Sequence, residues 1–454
     1  MGAAGGAIYL ATDDEGPSHP DEWDGRLVDL AAFVEDERGL RFDHPVAVDL
    51  LTAEEYSERT RVQESELTRE DRRLIEERTA PLRALGLVPD DFDAVESANE
   101  LSDTATVAYY DPLRERIVVR GTDMTTDLRV TLAHELVHVL QDQHFGLKEM
   151  LDEGGLKADR LSGHLALIEG DATRIQQAYV RSLPAGERDD YLDAASETAY
   201  EAQEQLEAVP GVLLATEGAP YALGPWLVEL IAAEGGNGAV DEAFDDPPAT
   251  TEHMVDPRSY LAGDPALEVA APVVPTGGEQ VGEDDSLGAL PIFLLLSERI
   301  DPLVALSAAD GWGGDAYVVY DRRGTTCIDL AVEGDAVRDG DELLEAFQAW
   351  VSAGPPGAAR ARSEGDLSFL SACDPGSGVE PSGLALDALT LPAVRAQVMA
   401  AGGAAADADE AFGAGNCFVR AVPLPQLVQA NESPDPPAAV RTALDRAIAK
   451  CRVE

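Results

Sequence analysis

Thr131-Leu132-Ala133-His134-Glu135-Leu136-Val137-His138-Val139-Leu140-Gln141 is the stretch on which the reading of this chain turns. It carries His-Glu-x-x-His at 134–138 inside an apolar run, Leu128 to Leu140, that has no Gly or Pro. Good helix formers dominate the run, and Thr126-Asp127 just upstream can cap its start and complement its dipole. Residues i and i+4 share one face of a helix, so His134 and His138 can offer two imidazole nitrogens to one metal ion. Glu135 can then reach a water at that ion, which is the layout of a zinc hydrolase site. Apolar residues nearly all round the run predict a buried helix. Unpartnered imidazoles are costly in such a place, which favours a metal over two core histidines.

Catalytic zinc needs a third protein ligand, with the fourth position left for water. His144 stands six residues after His138, the metzincin spacing, but the midway position where metzincins place Gly is Gln141. On an unbroken helix His144 is rotated about 120° off the His138 face. Glu169 is the better candidate. It lies among Leu161, Leu165, Ile168, Ala172 and Ile175, which repeat at helical spacing. A carboxylate in that stripe is costly unless a positive charge meets it. The sequence between His138 and Glu169 is long enough for a loop and a returning helix. His164 is about 140° round that helix from Glu169 and reads as a packing or supporting residue. Asp171 is a candidate to orient a ligand histidine from behind.

HExxH followed by a glutamate on a second helix is the pattern of the gluzincin-type metallopeptidases. The longer strings, His134 to Phe145 and Glu169-Gly170-Asp171-Ala172-Thr173, resemble those of uncharacterised HExxH proteins from actinobacteria and haloarchaea. So do Pro220, Tyr221 and Gly224, Thr251-Glu252-His253 leading to Pro257 and Tyr260-Leu261, and Gly311-Trp312-Gly313-Gly314-Asp315. Among these the chain is most similar to a haloarchaeal surface-protein family, over roughly residues 20–350. One position departs from that pattern: a histidine precedes the proline of the 253–260 stretch in the relatives, and here it is Asp256. The resemblance implies a peptidase-like fold and leaves the substrate open.

Composition adds an environment. Acidic residues number 86 against 33 basic ones, a net charge of −53. Only Lys148, Lys157 and Lys450 are lysines. The acids are spread along the chain, so the surface repels itself at low salt, and molar salt, with a Debye length of about 3 Å, removes most of that cost. A halophilic source is the simplest reading; a calcium- or polycation-binding surface is the rival, without the alternation of an EF-hand. Nucleic acid is not expected as a partner, since its phosphates would meet a negative field. No run of apolar residues is long enough for a membrane span, and Met1 to Ala11 lacks the basic start of a signal peptide. Cys327, Cys373, Cys417 and Cys451 form no CxxC pair, so two disulfides are expected, in one of three pairings, and with them an extracytoplasmic or cell-surface location.

The expected fold class is α+β, with three parts. Residues 1–20 are a loose segment, 21–312 a mainly helical, gluzincin-like metallopeptidase core, and 313–454 a small α+β domain. Helices are expected at 26–38, 53–62 and 69–79, with capping-box starts at Thr52 and Thr68. A strand is expected at 46–50, and 105–110 with 116–119 form a hairpin before the HExxH helix. Its outer strand is expected to receive a substrate backbone by strand addition. Further helices are expected at 161–183, 190–207, 225–234 and 289–300, with 272–288 a surface loop. Beyond 313, strands are expected at 316–320, 325–331, 367–371 and 417–422, helices at 341–352, 392–401 and 437–450, and a linker at 355–363.

The functional expectation is a zinc-dependent metallopeptidase acting on peptide or protein substrates. One Zn²⁺ is held by His134, His138 and Glu169, Glu135 is the base, and His253 and Tyr260 are candidate oxyanion donors. The alternative is a non-catalytic surface protein with a structural or lapsed zinc site. Hydrolysis of another amide or an ester would use the same zinc chemistry.

Overall fold

The computed structural model describes residues 19–151, 157–377, 379, 381–402, 407–433 and 436–451. The expected loose segment 1–20 therefore lies almost wholly outside the described residues. The class is α+β, with many helices around two small sheets.

The first sheet has the order β1-β3-β2, from β1 (Ala47–Leu51), β2 (Ala108–Asp111) and β3 (Arg116–Arg120). β1 runs parallel to β3, with Val48 opposite Ile117, and β2 runs antiparallel to it, with Tyr109 opposite Val118. The expected hairpin is present but starts later, because Ala105 closes a helix, Ala94–Ala105, that Asp93 caps with its carboxylate. This helix was not expected from the sequence. The Thr52 and Thr68 capping boxes are both formed.

The HExxH helix runs Thr126–Phe145, longer at both ends than its apolar core. Thr125 caps it, one residue before the expected pair, and Asp127 sits in its first turn. Gly146 ends it in the left-handed region at φ 70°. Leu132, Ala133, Leu136, Val137 and Leu140 bury themselves against Ile117 and Val119 of β3, Leu30 and Val34 of the Val28–Arg38 helix, and Ile175. Each fully buried aliphatic side chain contributes about 1.5–3 kcal/mol, so this packing holds the two histidines in place.

The returning helix spans Ala158–Ser182 and carries Glu169. It lies against a third long helix, Gly211–Gly235, which contains Pro220 and Pro225. Pro225 was expected to begin a helix; instead it is interior, because burial of Val212, Ala215, Leu223, Leu227 and Val228 outweighs the two missing backbone bonds. The helices touch through glycine. A Cβ on Gly170 would stand 2.4 Å from the Gly224 carbonyl oxygen, and one on Gly224 would stand 2.3 Å from that of Ala166. Gly170→Ala is therefore expected to destabilise the protein by about 1–3 kcal/mol and to displace Glu169, read as a lower melting temperature together with weaker metal binding. An unchanged melt would show that the helices can part without cost.

The second sheet has the order β4-β5-β6-β8-β7, from β4 (Glu279–Asp285), β5 (Trp312–Asp321), β6 (Thr326–Gly334), β7 (Ala359–Glu364) and β8 (Leu367–Cys373). Two expectations are corrected here: the loop at 272–288 contains β4, and the linker at 355–363 contains most of β7. Both are edge strands, so their charged side chains face solvent and the apolar signal is missing. The expected strand at Cys417–Val422 is also corrected. It closes the helix Ala408–Ala421, whose buried Phe412, Gly415, Phe418 and Val419 keep helical spacing. Residues on both sides of position 312 share one apolar core, in which Leu223, Phe293 and Leu296 meet Trp312, Ile328, Phe347, Leu391 and Val419.

The cysteines pair as neighbours in sequence. Cys327–Cys373 joins directly opposed residues of β6 and β8, and Cys417–Cys451 joins two helices. One stretch, Leu384–Ala401, reaches the length and hydropathy of a membrane span, but half of it is buried within the fold and it comprises two helices.

The strings Thr251-Glu252-His253 and Gly311 to Asp315 sit at a buried junction behind the Glu169 helix. Asp159, at that helix's start, accepts from the backbone N–H and the hydroxyl of Thr251 at 2.8 and 2.5 Å. Asp315 accepts from Leu287 N, Gly288 N, the Ser286 hydroxyl and Trp312 Nε1. Burial, with repulsion from Asp315 and Asp285, pushes Asp159 up to about 7 from 3.8, against the pull of its Thr251 bonds. The folded state then keeps a proton that the unfolded chain releases, so this contribution is complete below about pH 4 and is lost as pH rises through about 7. Asp159→Asn keeps an acceptor for Thr251 without the charge. Melts between pH 4 and 8 at molar salt are expected to show the parent losing stability relative to this variant, by on the order of a few kcal/mol. Parallel curves would refute the assignment.

Candidate metal centre

Helical spacing delivers what the sequence promised: His134 and His138 project from one face of the HExxH helix, and the Ala158–Ser182 helix brings Glu169 to meet them. His134 Nε2 lies 3.1 Å and His138 Nε2 3.4 Å from the same Glu169 oxygen, Oε2, and the two nitrogens are 3.0 Å apart. A tetrahedral ion with bonds of about 2.0–2.1 Å needs donors about 3.3 Å apart, so the three atoms approximate one face of such a shell. All three residues are buried, at 5, 7 and 6% exposure. This is the one His/Cys/Asp/Glu group of ligand-like spacing among the described residues.

The imidazoles and the carboxylate stabilise one another's charge. Burial opposes charge on His138, but the Glu169 carboxylate outweighs it and raises the imidazole to about 9. Burial likewise opposes the charge on Glu169, and the two imidazoles outweigh it, holding the carboxyl far below its usual range. A buried polar group needs a partner, and here three donors have little but one another.

Glu135 is 3% exposed. Burial raises its carboxyl above the ordinary range, against the pull of the two histidines and of a hydrogen bond from the Tyr110 backbone N–H. Oε2 of Glu135 has no hydrogen-bond partner. The Tyr110 contact follows from the strand pattern. Arg120 N donates to Val107 O, so 107 and 120 form a hydrogen-bonded pair, and alternation leaves Ala108 and Tyr110 with backbone groups turned away from β3. The free edge of β2 thus meets the HExxH helix at Glu135.

The other expected residues fall elsewhere. His144 is exposed and hydrogen-bonded through Nε2 to the Arg41 carbonyl at 2.7 Å, because the helix runs on past Gln141 and carries it off the metal face. His164 binds the Met150 carbonyl through Nδ1. His253 accepts from Ala249 N at Nδ1 and donates from Nε2 to the Asp264 carbonyl, both at 3.2 Å. The Tyr260 hydroxyl donates to the Asp246 carbonyl at 3.0 Å, and its ring packs edge-on to His253. Asp256 pairs with Arg258 at 2.6 Å and caps the Pro257–Ala262 helix. The aromatic ring that stacks on a ligand imidazole is Tyr221, 6.2 Å from His134 between centroids. Its signal in the sequence is its place in the string Pro220, Tyr221 and Gly224 that carries the family resemblance; nothing local ties residue 221 to residue 134.

Comparison with family models, with curated proteins and with solved structures returned no match for this chain.

Proposed function

We propose that this protein is a zinc-dependent hydrolase, and most specifically a metallopeptidase with a gluzincin-like core. The observation that carries the reading is the convergence of His134, His138 and Glu169 beside Glu135, a carboxylate with one oxygen unpartnered in the interior. A structural zinc site is closed by four protein ligands and has no use for a base; this one supplies three and a carboxylate. His134, His138 and Glu169 would hold the ion. When bound, zinc supplies Lewis acidity that activates water and polarises a carbonyl near neutral pH. Glu135 accepts the proton of the attacking water and passes it to the leaving amine. Its Tyr110 contact fixes the carboxylate while leaving Oε2 for that proton.

The outward backbone groups of Ala108 offer a peptide the start of an antiparallel pairing beside Glu135. β2 is buried along its length, so a substrate strand reaches it only when the elements over that edge part. For His253 or Tyr260 to stabilise an oxyanion, their present backbone bonds must first break. The acidic surface and the two disulfides fit action outside the cytoplasm in a salty medium.

The enclosure of all four residues favours the second reading, a non-catalytic protein that uses zinc to hold two helices together. The deciding experiment assays the parent protein on unfolded protein substrates at molar salt. We expect one zinc per chain and hydrolysis that a chelator removes and added zinc restores. Bound zinc without hydrolysis would select the second reading, and no bound metal would remove both.

A further inference from the structure

The structure assigns to Gln141 the positioning of the metal ligand His138, an inference that rests on the metal-centre reading above. His138 Nδ1 lies 2.8 Å from Gln141 Oε1, one turn further along the same helix. Gln141 Nε2 reaches two groups on the facing helix, the Ile168 carbonyl at 3.0 Å and Asp171 Oδ2 at 3.3 Å. Asp171 in turn accepts from Arg38 Nε at 2.8 Å and from Arg174 at 3.1 Å, and Arg38 pairs with Asp241 at 2.7 Å. Gln141, Asp171 and Arg38 are all buried.

These contacts have one consistent direction. A carbonyl oxygen and a carboxylate paired to two guanidiniums can only accept, so both must face the amide N–H₂ of Gln141. Its oxygen is then turned to His138, and His138 must carry its proton on Nδ1. In the neutral imidazole that a metal requires, the lone pair is then left on Nε2, the nitrogen that meets Glu169 and His134. The tautomer needed for metal binding is therefore imposed by a hydrogen-bond chain anchored by the donor Arg38, far from His138 in sequence. His134 has no such support, since its Nδ1 is buried without a partner. Hydrogen-bonded support behind the imidazole pair, at the nitrogens turned away from Glu169, thus falls on one amide. Metal-ligating histidines commonly donate to a carboxylate; here the carboxylate stands one residue further back and acts through Gln141.

The test measures zinc affinity at molar salt, by competition with a chromophoric chelator, on protein verified as folded. Its two variants separate positioning from packing. Gln141→Met keeps the volume and removes the acceptor; zinc is expected to bind about 10–100-fold more weakly, as for lost outer partners of other metal sites. Gln141→Glu keeps an oxygen for His138 but sets a second carboxylate against Asp171 and Ile168 O. It is expected to melt lower than the parent while holding zinc within a few-fold of it. A purely structural Gln141 predicts the opposite order, with Glu the worse variant in both measurements. Parent-like affinity in Gln141→Met overturns the inference while leaving the metal centre intact. If Gln141→Met does not fold, a loss of more than about 10-fold in Gln141→Glu overturns it. A parent protein that binds no zinc fails the metal-centre reading instead, and the His134→Ala variant shows what failure at that level looks like.

Discussion

Glu135→Gln is expected to lower hydrolytic turnover by about 10²–10⁴-fold while leaving zinc content and melting temperature close to those of the parent. The size follows from the proton transfer that a neutral amide cannot perform. The selectivity follows from the surroundings. Glu135 lies on the metal face of the helix but is not among the three converging donors, so zinc should stay. Its Tyr110 bond needs only an acceptor oxygen, which Gln retains. Its other oxygen is unpartnered in the interior, and burying a neutral amide there costs less than burying a charge. Turnover unchanged in this variant would end the proposed role of Glu135; loss of zinc would show that Glu135 is a ligand.

Removing a ligand should act in the opposite pattern. Glu169→Gln and His134→Ala are each expected to weaken zinc binding by more than the roughly 10–100-fold that an outer partner controls, with hydrolysis lost in step. One Glu169 oxygen faces both imidazoles, so its loss also takes away the charge that raises His138. The metal can then no longer tie the two helices together through these donors, and the melting temperature should no longer respond to added zinc. Isothermal titration on folded variants reads the first effect, and melts with and without zinc read the second. A Glu169→Gln protein that kept parent-like affinity would mean that another donor completes the site.

Several of these features were legible before any fold was known. The ligand pair was readable because spacing i, i+4 within one helix fixes a shared face whatever surrounds it. Glu169 was readable because a carboxylate in an apolar stripe demands a counter-charge. Helical rotation, with Gln141 standing where a turn would need Gly, takes His144 off the metal face, and the structure places it at Arg41. The capping boxes at Thr52 and Thr68 are equally local and were found where expected.

What failed was signal that does not reside in side-chain pattern. β4 and β7 pair through backbone groups common to all residues, and as edge strands they carry the charges of loops. Cys417–Val422 has the residues of a strand, but the helical spacing of its buried neighbours prevailed. The Gly211–Gly235 helix carries two prolines that local rules would use as a boundary.

By itself, then, the sequence determined the two imidazoles, the carboxylate beside them, the third donor of the group and the acidic composition, since each depends on residue type and short-range periodicity. Only the tertiary structure decided which cysteines pair, that Tyr221 rather than Tyr260 lies against a ligand, and that Gln141 sets the His138 tautomer. Those choices depend on contacts between segments tens to hundreds of residues apart, made by packing helices whose close approach at Gly170 and Gly224 no local pattern specifies.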